Sequence, residues 1–301
     1  QMTENIMHQQ FGIPFLPMKR PNWDKFAGAE YTIASDVLMP DGKLIQQPST
    51  HLMGQKFAKA FDAKFKNQQG KEEYLWTTAY GPAMSRILAS IVSTHGDDKG
   101  LILPFNLSPI QIVIVPIYNK DNKNKILKYA AQINNKLKEI KTHIDLRENL
   151  SPGWKFNEWE LKGVPFRIEI GEKELKSKKL TFYNRSTNKK ENLSLKDLSK
   201  IKEFGEKYDK KLLQKADKFM KGKIISCETK ENLKKTLTNN EIAKVNFCST
   251  DSEGTACAEH IERQLNAEVR GTFANKSEKA SGTCIICKEP AKEVVYIGKS
   301  Y

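Results

Sequence analysis

Four cysteines, Cys248, Cys257, Cys284 and Cys287, are spaced C-x8-C and C-x2-C near the end of the chain. A C-x2-C knuckle turns two thiolates onto one ion, and a second pair supplies the other corners of a tetrahedron. That donor set points to zinc. A closed shell of four thiolates leaves no position for water, so the metal's expected role is structural, coupling on the order of 10–16 kcal/mol of binding energy to folding. The competing reading is a redox pair at Cys284 and Cys287, which should follow a strand and open a helix. Cys227 and His260 are bystanders in either reading.

A second chemistry rests on Arg86. In residues 78–93 a Gly81-Pro82 turn opens an amphipathic helix whose first turn carries this arginine. Free backbone N–H groups at a helix start, beside a guanidinium that keeps its charge, suit a phosphate. The plainer alternative is an exposed arginine at the start of a core helix. Upstream, Lys25-Phe-Ala-Gly-Ala-Glu30 and residues 46–55 set small residues beside Phe26 and bring Ser49, Thr50 and His51 to a strand end. Such a set can wall a compact pocket for a small polar ligand, although His51 is equally suited to a structural role. A third constellation, residues 154–169, mixes Trp154, Phe156 and Trp159 with Glu160 and Arg167. Splayed bases are read by stacking and by hydrogen bonds to their edges, and a carboxylate or an arginine supplies the partners of guanine. Against this stands a core of aromatics with solvated charges.

The elements that must hold these residues follow from periodicity. Alternation predicts strands over 31–39 and 43–47, joined by the hairpin turn Pro40-Asp41-Gly42. A helix is expected over 54–65 with Phe57, Ala60 and Phe61 on one side, then a strand over 74–78. In the helix that follows, Met84, Ile87, Leu88, Ile91 and Val92 form the expected buried face. From Pro109 the pattern changes. Apart from Gln111, residues 110–116 form a short apolar run, as in a strand buried on both faces of a parallel sheet. Ile126, Ala130, Ile133, Leu137 and Ile140 then repeat at helical spacing. Next come a strand at 143–146, a turn at 151–153, a helix over 155–162 and a strand over 165–170. This β-α-β-α-β alternation predicts a doubly wound α/β domain. A hairpin over 180–183 and 191–195 and a long charged helix over 198–221 lead into the cysteine-bearing unit. The expected division is 1–105, 106–205 and 206–301.

Composition narrows the class. Lys plus Arg number 50 against 36 acidic residues, a net charge of +14 that suits a polyanionic partner. With 39% hydrophobic and 29% charged residues, no apolar run long enough to span a bilayer and no basic-then-apolar leader pattern, a cytoplasmic globular protein is expected, with no membrane partner. An odd count of five cysteines argues against a disulfide framework. Catalytic-triad, Walker and dinucleotide fingerprints are absent from the sequence.

Several segments in order carry a family resemblance: Lys25-Phe-Ala-Gly-Ala29, Met39-Pro-Asp-Gly-Lys43, His95-Gly-Asp-Asp-Lys-Gly-Leu-Ile-Leu-Pro104, Pro109-Ile-Gln-Ile-Val-Ile-Val-Pro116, Trp159-Glu-Leu-Lys-Gly-Val-Pro165 and Gly298-Lys-Ser-Tyr301. From about Gly12 to the final tyrosine the chain resembles prolyl-tRNA synthetases of the archaeal and eukaryotic type, which are class II aminoacyl-tRNA synthetases. The resemblance implies part of an antiparallel-sheet catalytic domain at 1–105, an anticodon-binding domain at 106–205 and a zinc-binding domain at 206–301. It implies that Arg86, in the Gly81 to Arg86 spacing of motif 3, binds the ATP γ-phosphate, with Gln46 and Ser49 near the nucleotide. Phe26, Ser49, His51 and Gly81 would line a proline pocket, and Glu160 and Arg167 would read anticodon guanines. Zinc on the four cysteines, Mg²⁺ with ATP, tRNA(Pro) as partner, a homodimer, and a Tyr301 carboxylate turned toward the catalytic domain complete the implied picture. Two departures matter. Motifs 1 and 2 are not found in this sequence, so the resemblance implies a need for an upstream half, either the rest of a longer protein or a separate chain. The family's frequent Ser-His-His is replaced by Ser49-Thr-His-Leu52. The alternative is a non-catalytic module for tRNA anticodon and zinc derived from a synthetase.

Overall fold

The computed structural model describes residues 2–301. A π-helical segment (Glu4–Gln10) leads to strands β1 (Leu16–Lys19), β2 (Tyr31–Leu38) and β3 (Lys43–Gly54), helix α1 (Lys56–Ala60), the small hairpin β4 (Lys64–Lys66) and β5 (Glu72–Tyr74), then β6 (Thr77–Gly81) and α2 (Met84–His95). The middle of the chain supplies β7 (Ile112–Pro116), α3 (Lys123–Lys136), β8 (Thr142–Ile144), α4 (Pro152–Leu161), β9 (Phe166–Ile170), α5 (Glu172–Ser177), β10 (Lys179–Asn184), β11 (Lys189–Ser194) and α6 (Ile201–Gly222). Last come β12 (Ile224–Ser226), α7 (Lys230–Thr238), β13 (Ile242–Phe247), α8 (Thr255–Leu265), β14 (Glu268–Phe273) and β15 (Glu293–Ser300). The chain forms two compact units: Ile91–Asp217 with the segment ending at Ile13, and Pro14–Ser90 with Lys218–Tyr301.

In the second of these units one eight-stranded sheet runs in the order β12-β13-β15-β14-β1-β2-β3-β6. Strands from the first ninety residues and from the cysteine-bearing end thus share a single sheet. The seam is antiparallel β1–β14 pairing, with Met18 opposite Phe273, and a short parallel contact of Lys299 and Ser300 with Lys43 and Leu44. Leu16, Met18, Leu38 and Leu44 bury against Met220, Ile242 and Tyr296 beneath that seam. Pro40-Asp41-Gly42 makes the expected tight connection: Gly42 has φ +82°, and Met39 and Lys43 close the turn through Met39 N–H to Lys43 O at 2.9 Å. A Cβ at residue 42 would also collide with Asn240, so this turn requires glycine.

The other unit holds a five-stranded sheet in the order β11-β10-β9-β7-β8, parallel among β8, β7 and β9 and antiparallel through β10 and β11. Burial on both faces explains the continuous apolar β7. Ile112 and Ile114 join a core with Ile126, Ala130 and Ile133 of α3 and Tyr208 and Leu212 of α6, whereas Val113 and Val115 meet Trp159 and Val164.

The expected elements need several corrections. The helix placed at 54–65 shrinks to five residues, with Phe57 and Phe61 exposed, because β3 continues to Gly54 and β4 begins at Lys64. Tyr74 belongs to the small hairpin, and the strand before α2 starts at Thr77. On α2, Ile87 and Ile91 are buried but Met84 and Leu88 are exposed. The sheet covers only a narrow stripe there, and it includes Ser90, whose hydroxyl accepts from Gln47 Nε2 at 2.6 Å. Pro152 and Gly153 are the first turn of α4, capped by Ser151, rather than a turn before it. The short α5 was not signalled by an apolar stripe, and none of its residues is buried.

Candidate functional site

The phosphate, pocket and aromatic constellations fall into two separate places. On β2, β3 and β6 one sheet face collects most of the first two. Ala34 pairs with Ser49 and Asp36 with Gln46, so three residues of β3 span two of β2, and a bulge lies at Gln47-Pro48. Proline lacks the N–H that an uninterrupted ladder would use there. Without the extra residue, Gln46 and Ser49 would alternate to opposite faces. With it, Thr32, Ala34, Asp36, Gln46, Ser49 and His51 share one face, because residues directly opposite point the same way. Across β3, Gly81 pairs with Ser49 and Ala79 with His51, adding a floor of small residues.

His51 is held by hydroxyls on both ring nitrogens, Thr32 Oγ1 at Nδ1 and Ser49 Oγ at Nε2, each 2.9 Å away. Burial lowers its pKa, so the neutral ring, with one donor and one acceptor nitrogen, is the form that fits these partners. The Phe26 ring leans against it at 4.8 Å and keeps half its own surface exposed. Arg86, exposed on the first turn of α2, donates from Nη1 to the Gln46 carbonyl at 3.2 Å, and Gln47 Nε2 donates to the Arg86 carbonyl at 3.1 Å. The structure therefore brings Phe26, Gln46, Ser49, His51, Gly81 and Arg86 together. Beneath Gln46 lies a network absent from the sequence reading. Arg20 grips Asp36 with two nitrogens, at 2.6 and 2.7 Å, and donates to Gln46 Oε1 at 2.9 Å. Burial would push the Asp36 carboxyl up, but the guanidiniums of Arg20 and Arg270 overcome this and hold it below its ordinary value.

In the other unit, Arg167 of β9 is buried between the rings of Phe156 and Tyr183, 4.1 and 4.2 Å from their centroids. Its nitrogens reach Glu160 Oε1 at 2.8 Å and Glu169 Oε1 at 3.0 Å. Glu160 and Arg167 are thus together, but the guanidinium edge faces protein carboxylates, and Glu160 is the member nearer solvent. Lys190 closes the cluster on Glu169 at 2.8 Å. A further anchor escaped sequence reasoning. Buried Arg185 donates to Asp97 at 2.8 Å and to the Glu160 carbonyl at 3.1 Å, fixing the end of α4. That contact holds Asp97 down at about 2. The signal available was the acidic Asp97-Asp98 pair in the segment beginning at His95, which reads as a polar stop.

Cys248, Cys257, Cys284 and Cys287 bring their sulfurs within 4.8 Å of one another. A tetrahedral ion with metal–sulfur bonds of about 2.3 Å would hold such sulfurs about 3.8 Å apart, so the donor set fits. Cys248 follows β13, Cys257 lies in α8, and the C-x2-C pair forms a knuckle between β14 and β15 in which Ile286 N–H points at Cys284 Sγ. The pair opens no helix, which removes the thioredoxin-like alternative. Burial pushes the Cys248 thiol up to about 11 and raises Cys257 as well. At Cys284 burial acts the same way, but the N–H groups of the knuckle outweigh it and lower the thiol. Cys227 lies apart, its thiol against Thr236 Oγ1. At the chain end the Tyr301 hydroxyl donates to Asp41 at 2.9 Å and Lys43 Nζ sits 5.0 Å from the ring centroid, so this ring lies at the β2–β3 turn.

Residues 111–203 match the family described as "Anticodon binding domain", and residues 230–301 that described as "Prolyl-tRNA synthetase, C-terminal". The class is that of the aminoacyl-tRNA synthetases. Proline--tRNA ligase of Thermofilum pendens is 40% identical over 99% of this chain, and that of Ignicoccus hospitalis 36% identical over 97%. Among solved structures, Giardia lamblia prolyl-tRNA synthetase in complex with prolyl-adenylate superposes with a TM-score of 0.93 at 29% identity, covering 99% of this chain and 64% of that one. The Cryptosporidium parvum enzyme complexed with L-proline and AMP gives 0.89 at 28% identity, covering 99% and 64%. The chain belongs to the prolyl-tRNA synthetase family and corresponds to a C-terminal portion of its members. It spans 62% of the Thermofilum relative and 61% of the Ignicoccus one.

Proposed function

We propose that this chain works as the C-terminal portion of a proline--tRNA ligase, which activates proline with ATP to prolyl-adenylate and transfers it to tRNA(Pro). The observation that carries this reading is the shared sheet face on which Arg86, Gln46, Ser49, His51, Phe26 and Gly81 converge. Residues 1–105 then supply the later part of the catalytic domain, 106–205 the anticodon-binding domain and 206–301 the zinc domain. Arg86 stabilises the outer phosphate of ATP, and Gln46 and Ser49 contact the nucleotide. Ser49, His51 and Phe26 bound the proline, whose ring packs over Gly81. Here the protein acts by orienting charges and neutralising the one that develops on the phosphate. Mg²⁺ bound with ATP supplies further neutralisation of the phosphates.

Glu160 accepts hydrogen bonds from a guanine edge, whose N1–H and N2–H2 are donors, and Arg167 reads or braces the same base from beneath the carboxylate. Cys248, Cys257, Cys284 and Cys287 hold a structural zinc. Cytoplasmic location, a homodimer through the catalytic domain, and a Tyr301 carboxylate turned toward the active site belong to the same proposal. The deciding assay is proline-dependent exchange of pyrophosphate into ATP. It is run on the chain combined with a fragment supplying the part of the relatives' length it does not span. Exchange confirms the ligase. Its absence at every stoichiometry, with tRNA binding indifferent to ATP and proline, supports the non-catalytic module instead.

A further inference from the structure

The C-terminal domain reaches the proposed nucleotide site through a chain of buried charges. Arg270 lies on β14, within residues 230–301 that match the C-terminal family, and is only 5% exposed. Its Nε donates to Asp36 Oδ2 at 3.0 Å and its Nη2 to Asp36 Oδ1 at 3.1 Å. Arg20 takes the same two oxygens from the other side. Each oxygen of this fully buried carboxylate therefore accepts from two guanidiniums, and the carboxylate is clamped between two planar forks. Arg20 is steadied further because its Nη1 also donates to the Arg270 carbonyl at 2.9 Å. Arg270 is anchored in turn by Glu268, whose other oxygen accepts from Ser300 Oγ at 2.6 Å.

The free end of this chain of contacts is Gln46. A guanidinium only donates, so the atom of Gln46 that meets Arg20 Nη2 must be the amide oxygen. The amide N–H2 group is then turned away from Arg20, with no protein acceptor among the described residues, and is free to donate to an acceptor of a bound ligand. Meanwhile the Gln46 carbonyl is tied to Arg86. We infer that Arg270 is a positioning residue for the nucleotide site: through Asp36 and Arg20 it fixes the Gln46 amide so that its N–H2 group is presented to the nucleotide. This rests on the reading of Gln46 as a nucleotide contact. It gives the C-terminal domain a role in ATP use that is separate from holding zinc.

The test uses Arg270→Met and Arg270→Lys in the exchange assay described above, with zinc content and thermal midpoint measured on each. In Arg270→Met the KM for ATP should rise on the order of tenfold, with kcat and the KM for proline little changed, and Arg270→Lys should recover part of the loss. In a Gln46→Ala background, Arg270→Met should add nothing further, since its effect passes through the missing amide. A zinc-loaded Arg270→Met protein with an unaltered KM for ATP overturns the inference, and so does the same tenfold factor in both backgrounds. Should Arg270→Met fail to fold, Arg270→Lys and Asp36→Asn carry the same comparison. A second readout needs no activity. The ¹⁵N side-chain amide signals of Gln46 should shift and exchange faster with solvent in the Arg270 variants, and unchanged signals overturn the inference. If the parent protein shows no exchange activity, the ligase reading falls, and the amide signals alone decide whether Arg270 positions Gln46.

Discussion

Arg86 and Arg167 are the same side chain in opposite circumstances. Arg86 spends one N–H on the Gln46 carbonyl and keeps an exposed guanidinium, so its remaining donors are available to an anion. Arg167 is stacked between two rings with carboxylates on its edge. Arg86→Ala should therefore lower the rate of nucleotide activation by about 10²–10³, the usual cost of deleting one preorganised donor, and leave tRNA discrimination intact. Arg167→Ala should do the reverse, weakening the preference for tRNA(Pro) over a tRNA with altered anticodon guanines. It also leaves Glu160 without its cation and Glu169 with Lys190 alone, a loss of about 3–5 kcal/mol when a buried pair is broken, so Arg167→Lys should retain more of the stability. Pyrophosphate exchange and competitive tRNA binding on both variants check this, and equal losses in both assays would undo the assignment of roles.

At the scale of elements, buried polar contacts decide what periodicity leaves open, and α6 shows this most plainly. Asp209 accepts the backbone N–H groups of Phe105 and Asn106, at 2.5 and 3.2 Å, yet its burial outweighs them and pushes the carboxyl up to about 6. A group whose folded-state pKa is raised stabilises the fold below its unfolded value, and that contribution is lost as pH rises through the folded one. Stability from Asp209 should thus be fullest at or below pH 4 and fall away as pH rises to about 6. Asp209→Asn removes the titration, so the thermal midpoint of the parent relative to this variant should fall between pH 4 and pH 7. A difference that stays flat would contradict it. The same contrast explains what was legible beforehand. Ile112, Ile114, Ile126, Ala130 and Ile133 can be placed because apolar spacing reports burial directly, and the four cysteines can be grouped because four thiols at that spacing suit a single ion. On α2 the apolar set is wider than the buried stripe, so periodicity puts exposed Leu88 on the buried face and gives no sign of buried Ser90. The bulge at Gln47-Pro48, which unites Gln46 with Ser49, depends on the register between two strands, and neither strand's own alternation encodes it. The Arg20–Asp36–Arg270 cluster joins residues up to 250 positions apart and has no local pattern at all.

For the whole molecule, the decisive feature is that the strands flanking the cysteines, β13, β14 and β15, share a sheet with β3, which bears Gln46 and Ser49. The sulfurs hang from the residue after β13, from α8 and from the β14–β15 knuckle, β14 pairs with β1, and β15 touches β3 at Ser300 and Leu44. A metal held by the proposed four-thiolate site would therefore also fix the strands on which the sheet is built. Cys284→Ser removes one of four thiolates, and Cys248, Cys257 and the exposed Cys287 are then too few to close the proposed tetrahedral site. Zinc measured by elemental analysis should be lost from this variant. Unchanged zinc content would refute the four-thiolate site. Amide hydrogen exchange locates the consequence. Protection should fall first in β14 and β15, and through the shared ladder in β1 and the first residues of β3, whereas β7 and β9, in the other sheet, should keep theirs. Loss confined to the knuckle, with β1 as protected as in the parent, would show that the sheet holds its shape without the metal.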